Sequence, residues 1–214
     1  MAGRIEFFFD LSSPWSYLAF HNIRPIVRER DVSVRWRPFL VGGVHNAVNQ
    51  AYPEARSRDL SSPRWRQFAR SLMDWAAWSG VPMNFPGKHF PLRSVHAMRF
   101  CCLLEDDQEA LFRFAEAGFA AYFVRQENLD DPEVLAGIAT GLGLDGEDLR
   151  ARAKEQPCKD HLRANTDEAI ARGAFGAPSI FVPGPGGGRE GERLYFGNDQ
   201  LPLVAWALDQ RGAS

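Results

Sequence analysis

Residues 7–20 read FFFDLSSPWSYLAF, and the Ser13-Pro14-Trp15-Ser16 junction inside them joins chemistry-bearing side chains to a change of backbone geometry. An aromatic run ends, a short polar turn follows, and Ser13 stands before a proline where a helix should begin. Ser13 is suited to cap that helix, with Pro14 at its first position, where a missing N–H is no loss. A helix N-terminus also presents unpaired N–H groups and the positive end of the macrodipole, which stabilise a thiolate, carboxylate or phosphate. Neither Ser13 nor Ser16 carries sulfur, so this turn cannot undertake disulfide exchange. A serine hydroxyl can instead donate a hydrogen bond to a sulfur that a ligand brings. Ser13 therefore has two readings, a plain cap and a catalytic donor, while Ser16 is read as local structure.

Other reactive side chains offer less. The histidines at 21, 45, 89, 96 and 161 show no pairing with cysteines or carboxylates that suggests zinc, so no metal site is expected. His45 is read as an exposed loop residue. Cys101 and Cys102 fall within a helical pattern, where buried, inert thiols are the common case, and with Cys158 they make an odd number. The run GPGGGREGE lacks the Gly-Lys-Ser/Thr ending of a phosphate-binding loop and reads as a flexible connection.

The elements that must hold Ser13 follow from periodicity. Arg4 to Phe9 is apolar on both faces, as in a central strand; helical spacing then runs from Tyr17 to about Arg30, and DVSVRWRPF alternates like a strand. From about Val44 to Arg172 the pattern is helical. Trp65, Phe68, Leu72 and Ala76 share one face, Leu111, Phe112, Ala115, Phe119 and Tyr122 another; Asp131-Pro132 starts a helix that Gly143 stops, and a further helix spans about Lys159 to Arg172. Then FGAPSIFV and RLYFG read as two strands, and Asn198-Asp199 begin a last helix. A βαβ unit and a ββα unit, each short of strand partners, are expected to share one sheet. The fold class is thus α/β, a thioredoxin-like fold (βαβ…ββα) with a large all-helical insertion. Residues 1–43 and 173–214 form the discontinuous thioredoxin-like domain, and 44–172 the inserted helical domain.

The bulk numbers agree with a globular protein. The chain has 214 residues, 45% hydrophobic and 24% charged, with a net charge of −2, which gives no electrostatic reason to expect nucleic acid or an acidic membrane as partner. The N-terminus shows no signal peptide and no window is apolar enough to span a membrane, so the expected location is the cytoplasm.

Taken in order, FDLSSPWSYLA, GVPMNFP, HAMRF, GAFGAPSIFV and FGND resemble the 2-hydroxychromene-2-carboxylate isomerase and kappa-class glutathione transferase family over nearly the whole chain. The broader relatives, DsbA-type thiol oxidoreductases, place Cys-x-x-Cys where this chain has Ser13 and Ser16. The resemblance implies glutathione as cofactor, Ser13 as the catalytic residue that meets its sulfur, and Trp15 beside it. It implies a cis bond between Ala177 and Pro178, with the Ala177 backbone pairing to the cysteinyl backbone of glutathione. Asn198 and Asp199 would bind the γ-glutamyl end, although Gln200 replaces the family's usual Arg. Asn49 matches a glutathione-binding asparagine, and Arg64 stands in for a lysine. Trp15, Trp36 and the Phe-rich helices would line a pocket for a small aromatic substrate, and a homodimer is expected. The activity implied is a glutathione-dependent isomerase of 2-hydroxychromene-2-carboxylate or a similar aromatic-derived enone. A kappa-like transferase, a non-catalytic thioredoxin-like binding module and a DsbA-like oxidoreductase stay as alternatives. With no sulfur at the junction, the protein should fail to accelerate insulin reduction by a dithiol; measurable turbidity from reduced insulin would restore the oxidoreductase reading.

Overall fold

Four aromatic or apolar residues of the first strand have no exposure at all: Ile5, Phe7, Phe8 and Phe9. A strand buried on both faces must be central, and its neighbours must come from both ends of the chain. The computed structural model, which describes residues 3–48, 60–184 and 188–212, shows this arrangement. In chain order the elements are β1 (Arg4–Phe9), α1 (Pro14–Glu29), β2 (Ser33–Pro38), α2 (Val41–Val48), α3 (Pro63–Ser79), α4 (Val95–Leu103) and α5 (Gln108–Phe123). There follow α6 (Pro132–Gly141), α7 (Gly146–Arg152), α8 (Gln156–Ala171), β3 (Ser179–Val182), β4 (Arg193–Phe196), a short 3-10 turn (Asn198–Gln200) and α9 (Leu201–Gly212).

The sheet order is β2-β1-β3-β4. β1 runs parallel to β2, with Phe7 opposite Trp36, and antiparallel to β3, with Phe7 opposite Ile180. The thioredoxin-like fold with its helical insertion is therefore present. Side chains alternate strictly: Ile5, Phe7, Phe9, Ile180 and Val182 enter the large core with α1, α9 and the insertion, while Phe8 and Phe181 enter a smaller one with Phe39, Val44 and Ala169. Burying a Phe side chain stabilises by roughly 1.5–3 kcal/mol, so β1 alone anchors much of the sheet.

Two boundaries differ from the periodicity. α2 already begins at Val41, ahead of the expected start near 44, and α8 begins at Gln156 rather than near Lys159, because Pro157 sits in its first turn, where proline is tolerated. Asn198 and Asp199 open a 3-10 turn before α9 rather than the helix itself. Asp131 caps α6 as expected, its carboxylate accepting from the Glu133 N–H at 2.9 Å, and Gly143 takes the left-handed conformation (φ 81°) just beyond. Residues 185–187 of the glycine-rich connection lie outside the described residues.

The second face of the sheet carries buried charge. Arg37 of β2 meets Glu6 (3.1 Å), Glu105 (2.7 Å) and Glu168 (2.7 Å) and lies 4.9 Å over the Phe8 ring. Arg172 pairs with Glu6 (2.6 Å) and Glu192 (2.7 Å) and stacks 4.0 Å over Phe181. Burial works to raise the Glu6 pKa, but Arg172 and Arg37 outweigh it and leave it below the ordinary glutamate value. Glu168 is held low in the same way, chiefly by Arg37. A carboxylate depressed in the folded state contributes stability that is full above its unfolded pKa and is lost as pH falls through the folded one. Urea midpoints should accordingly hold near neutrality and decline below about pH 4.5. Arg37→Met should lower stability by about 3–5 kcal/mol, measured by urea denaturation, because it leaves the buried Glu105 without its arginine, whereas Glu6 and Glu168 keep Arg172.

Candidate functional site

Ser13 closes the turn between β1 and α1. Its N–H donates to the Asp10 carbonyl (3.0 Å), its Oγ accepts from the Ser16 N–H (3.1 Å), and its hydroxyl donates to the Ala177 carbonyl (3.0 Å). The chain contains an internal control for what a Ser-Pro cap does alone. Ser62-Pro63 starts α3 in the same way, with Ser62 Oγ accepting from the Trp65 N–H at 3.2 Å. What separates Ser13 is the second contact, to a residue from the far end of the chain. The Ala177-Pro178 bond there is cis.

The first turn of α1 is short of donors in a useful way. Pro14 has no N–H, and Ser13 takes the amides of Ser16 and Tyr17 through its Oγ and carbonyl. The Trp15 N–H is left without an intrahelical acceptor, at the positive end of the helix. Ser16 is fully buried and its hydroxyl has no partner, so its contribution is the amide that Ser13 caps.

Asp10, to which sequence reasoning gave no role, holds this turn in place. It has no exposure, and its carboxylate accepts from the Ser12 N–H (2.9 Å) and hydroxyl (2.8 Å), the Val41 N–H (2.9 Å) and the Ser94 hydroxyl (3.0 Å). Burial pushes its pKa up, against the pull of the Ser12, Val41 and Ser94 hydrogen bonds. The signal was an acidic residue ending an apolar strand, where an unpaired charge would be too costly to keep.

The other expected site residues divide. Trp15 is half-buried, with its ring edge against Phe68 at 6.0 Å. Asp199 is exposed at the mouth of the turn after β4, where Gly197 takes a positive φ of 97° and a Cβ would meet the Asp199 carboxylate at 2.7 Å. Arg64 is exposed in the first turn of α3, and Asn49 lies outside the described residues. Asn198 is 1% exposed: its Oδ1 accepts from Asn22 (2.9 Å) on α1, which ties the 3-10 turn to α1, while its Nδ2 has no partner at the edge of a cavity lined by α1. The Ala177 carbonyl accepts from the Ser13 hydroxyl. Trp36 packs at 6% exposure among Phe7, Phe20 and Phe112, as part of the core.

A half-buried aromatic group stands beside Trp15 instead. Trp65 and Phe68 of α3 meet Phe85 and Phe90 from the irregular segment before α4, with ring centroids 5.2–5.9 Å apart. That segment is firmly held: the Tyr17 hydroxyl donates to the Pro82 carbonyl, the Asn84 N–H to Phe123, and the Tyr122 hydroxyl to His89. A larger cavity of about 650 Å³ lies further along α1, against α3 and α9, and includes neither Ser13 nor Ala177. No described helix is long and apolar enough to cross a membrane.

A parallel β1–β2 pair, an antiparallel β3 and a cis-proline loop facing the start of α1 define a thioredoxin-type scaffold. The chain belongs to the DSBA-like thioredoxin domain family, whose model matches residues 4–209. Within that breadth it is 27% identical to a 2-hydroxychromene-2-carboxylate isomerase of Sphingobium xenophagum, over 98% of this chain and all of that one. It is equally 27% identical to glutathione S-transferase kappa 1 of Caenorhabditis elegans, over 97% of this chain and 91% of that one. A solved 2-hydroxychromene-2-carboxylate isomerase superposes with a TM-score of 0.81 at 21% identity, covering 97% of this chain and 95% of that one.

Four donors and no acceptor around Asp10 suit an ionised carboxylate. Asp10→Asn should therefore cost about 1–3 kcal/mol in urea denaturation, because an amide would turn an N–H toward a donor. Unchanged stability would mean that Asp10 is a neutral acid.

Proposed function

We propose that this protein is a glutathione-dependent isomerase acting on 2-hydroxychromene-2-carboxylate or a similar aromatic-derived enone. The observation that carries the reading is the Ser13 hydroxyl at the N-terminus of α1, beside the first-turn Trp15 amide and opposite the cis-proline loop. These groups fit glutathione: an anion there meets one rotatable O–H, one backbone N–H and the helix dipole. Glutathione supplies a thiolate whose reversible addition to a conjugated carbon leaves a single bond free to rotate before elimination.

The chain's own groups have separate tasks. Ser13 keeps its acceptor contact with Ser16 and swings its hydroxyl proton from Ala177 to the sulfur. Each unit by which this lowers the thiol pKa, from about 8.5, is about 1.4 kcal/mol in favour of the anion. The Ala177 carbonyl, released by that swing, is free to pair with the peptide backbone of the cofactor as an added strand would. Asp199, Arg64 and Asn49 would receive its charged ends. The ring cluster of Trp15, Trp65, Phe68, Phe85 and Phe90 gives a flat apolar wall for an aromatic substrate. A cytoplasmic homodimer is the proposed form of the enzyme.

A kappa-like transferase is the second reading, favoured by the equal identity to both kinds of relative. It needs the same first step and differs only in whether the thiol leaves again. Recovery of all glutathione after turnover marks the isomerase, and its stoichiometric consumption the transferase. Ser13→Ala should lower turnover about 10- to 100-fold through loss of a charge-assisted hydrogen bond, and raise the pKa of bound glutathione, followed by thiolate absorbance. Stability should fall only by about 1 kcal/mol, the usual cost of a lost cap. Wild-type turnover in that variant would overturn the assignment.

A further inference from the structure

The helix pair α4 and α8 brings together residues that the histidine spacing left apart. Glu105 follows Cys102 by three residues, carried on the turn that ends α4, with its N–H bonded to the Cys102 carbonyl at 3.2 Å. On α8, His161 follows Cys158 by three residues, which places both on one face. Cys102 Sγ, a Glu105 carboxylate oxygen and an imidazole nitrogen of His161 all lie within 4.8 Å of one another. The Cys158 thiol reaches the same seam, 3.4 Å from the carbonyl of Arg99, one turn before Cys102.

We propose that Cys102, Glu105, His161 and Cys158 form a binding site for Zn²⁺ or a divalent cation of like preference, closing the seam between α4 and α8. The donor set argues for the metal class: thiolate, imidazole and one carboxylate suit zinc, whereas calcium and magnesium demand six or more oxygens. The donor atoms of Cys102, Glu105 and His161 need little change, whereas the Cys158 thiol lies outside their cluster and must turn from the Arg99 carbonyl to join it. His161 Nε2 and Glu105 Oε2 are 2.9 Å apart, and two such ligands on one tetrahedral zinc stand about 3.3 Å apart, so the ion takes the place of the proton they share. Glu105 is already oriented for this. Its other oxygen, Oε1, lies 2.7 Å from Arg37 Nε as an ion pair whose angle falls short of a hydrogen bond, and Asn165 donates to Oε2. Such outer partners fix a ligand's direction and are part of a metal site's affinity.

Access and enclosure also match. Cys102 and Glu105 are 3% and 5% exposed, while the His161 side chain is 40% exposed and marks the way in. With Cys158 as fourth ligand the coordination sphere is closed, so the ion would be structural, pinning α8 to α4 behind Arg37 rather than acting at Ser13. Binding releases the thiol protons and the proton shared by His161 and Glu105 to solvent, and no oxidant or reductant is involved.

The test uses the full chain, stripped with a chelator and kept reduced with a phosphine. One equivalent of Co²⁺ should produce a near-ultraviolet thiolate-to-cobalt band together with visible bands of a four-coordinate ion, and Zn²⁺ should erase both. Zn²⁺ should raise Tm, and excess Mg²⁺ should not. His161→Gln, a change at a partly exposed side chain that leaves the fold intact, should weaken Co²⁺ binding at least 10-fold. Cys102→Ser should do the same, and Cys158→Ser should lower the thiolate band by about half as one of two sulfurs leaves. No thiolate band in the wild type, or a band that His161→Gln leaves unchanged, would overturn the site; should Cys102→Ser fail to fold, His161→Gln decides alone.

Discussion

The Asp10 carboxylate is the constraint on which the candidate site rests. Its backbone carbonyl receives the Ser13 N–H, and its two side-chain oxygens receive the turn at Ser12, the first residue of α2 and the serine before α4. One buried carboxyl group thus fixes the position of the turn after β1 relative to two elements of the helical block. A buried charge is tolerated only where donors surround it, and here they come from three separate stretches of chain. The arrangement makes the site and the packing of the insertion one problem rather than two. It also explains why the turn can be short and still hold its shape: its polar groups point inward to a fixed acceptor instead of outward to water.

Ser13 shows how the same local grammar yields two outcomes. At α3, Ser62-Pro63 caps a helix and nothing more; at α1, the cap oxygen has an extra partner because β3 enters the sheet beside β1. In a relative with Cys-x-x-Cys the sulfur would be covalent. Here the helix end retains the features that stabilise a sulfur anion, while the hydroxyl supplies a proton that can turn between Ala177 and an incoming group. The site is one of recognition through hydrogen bonding, and it fits a ligand that brings its own nucleophile.

Much of this was legible in the sequence, and the gaps have physical causes. β1, α1 and β2 follow from periodicity and the Ser-Pro signal, and α6 from Asp131, Pro132 and Gly143, because these are local rules. Asn198 looked like a ligand-binding residue at a helix start, but whether it points to solvent or to Asn22 depends on how α9 lies against α1. Trp36 looked available for a pocket, yet its strand is covered by Phe112 of α5. The wall of Phe85 and Phe90 belongs to an irregular segment, whose course is set by hydrogen bonds to the end of α5 that no pattern announces. Likewise Cys102, Glu105 and His161 are separated by almost sixty positions (residues 102 and 161), and only the packing of α4 on α8 joins them.

The sheet order has a consequence for the chain as it is made. β1 emerges early and can pair at once with β2, but its other edge belongs to β3, which starts only at Ser179. Throughout synthesis of the intervening helices, three consecutive phenylalanines lie along a strand with one side unsealed. Such an edge invites pairing with another chain. Each helix between closes its own backbone hydrogen bonds locally and can form before β3 exists, so folding of the insertion is a race to cover one face of β1 before a neighbouring polypeptide does. The same delay means that Ser13 acquires its second partner last: until Ala177 arrives from the far end, it is no more than a cap like Ser62.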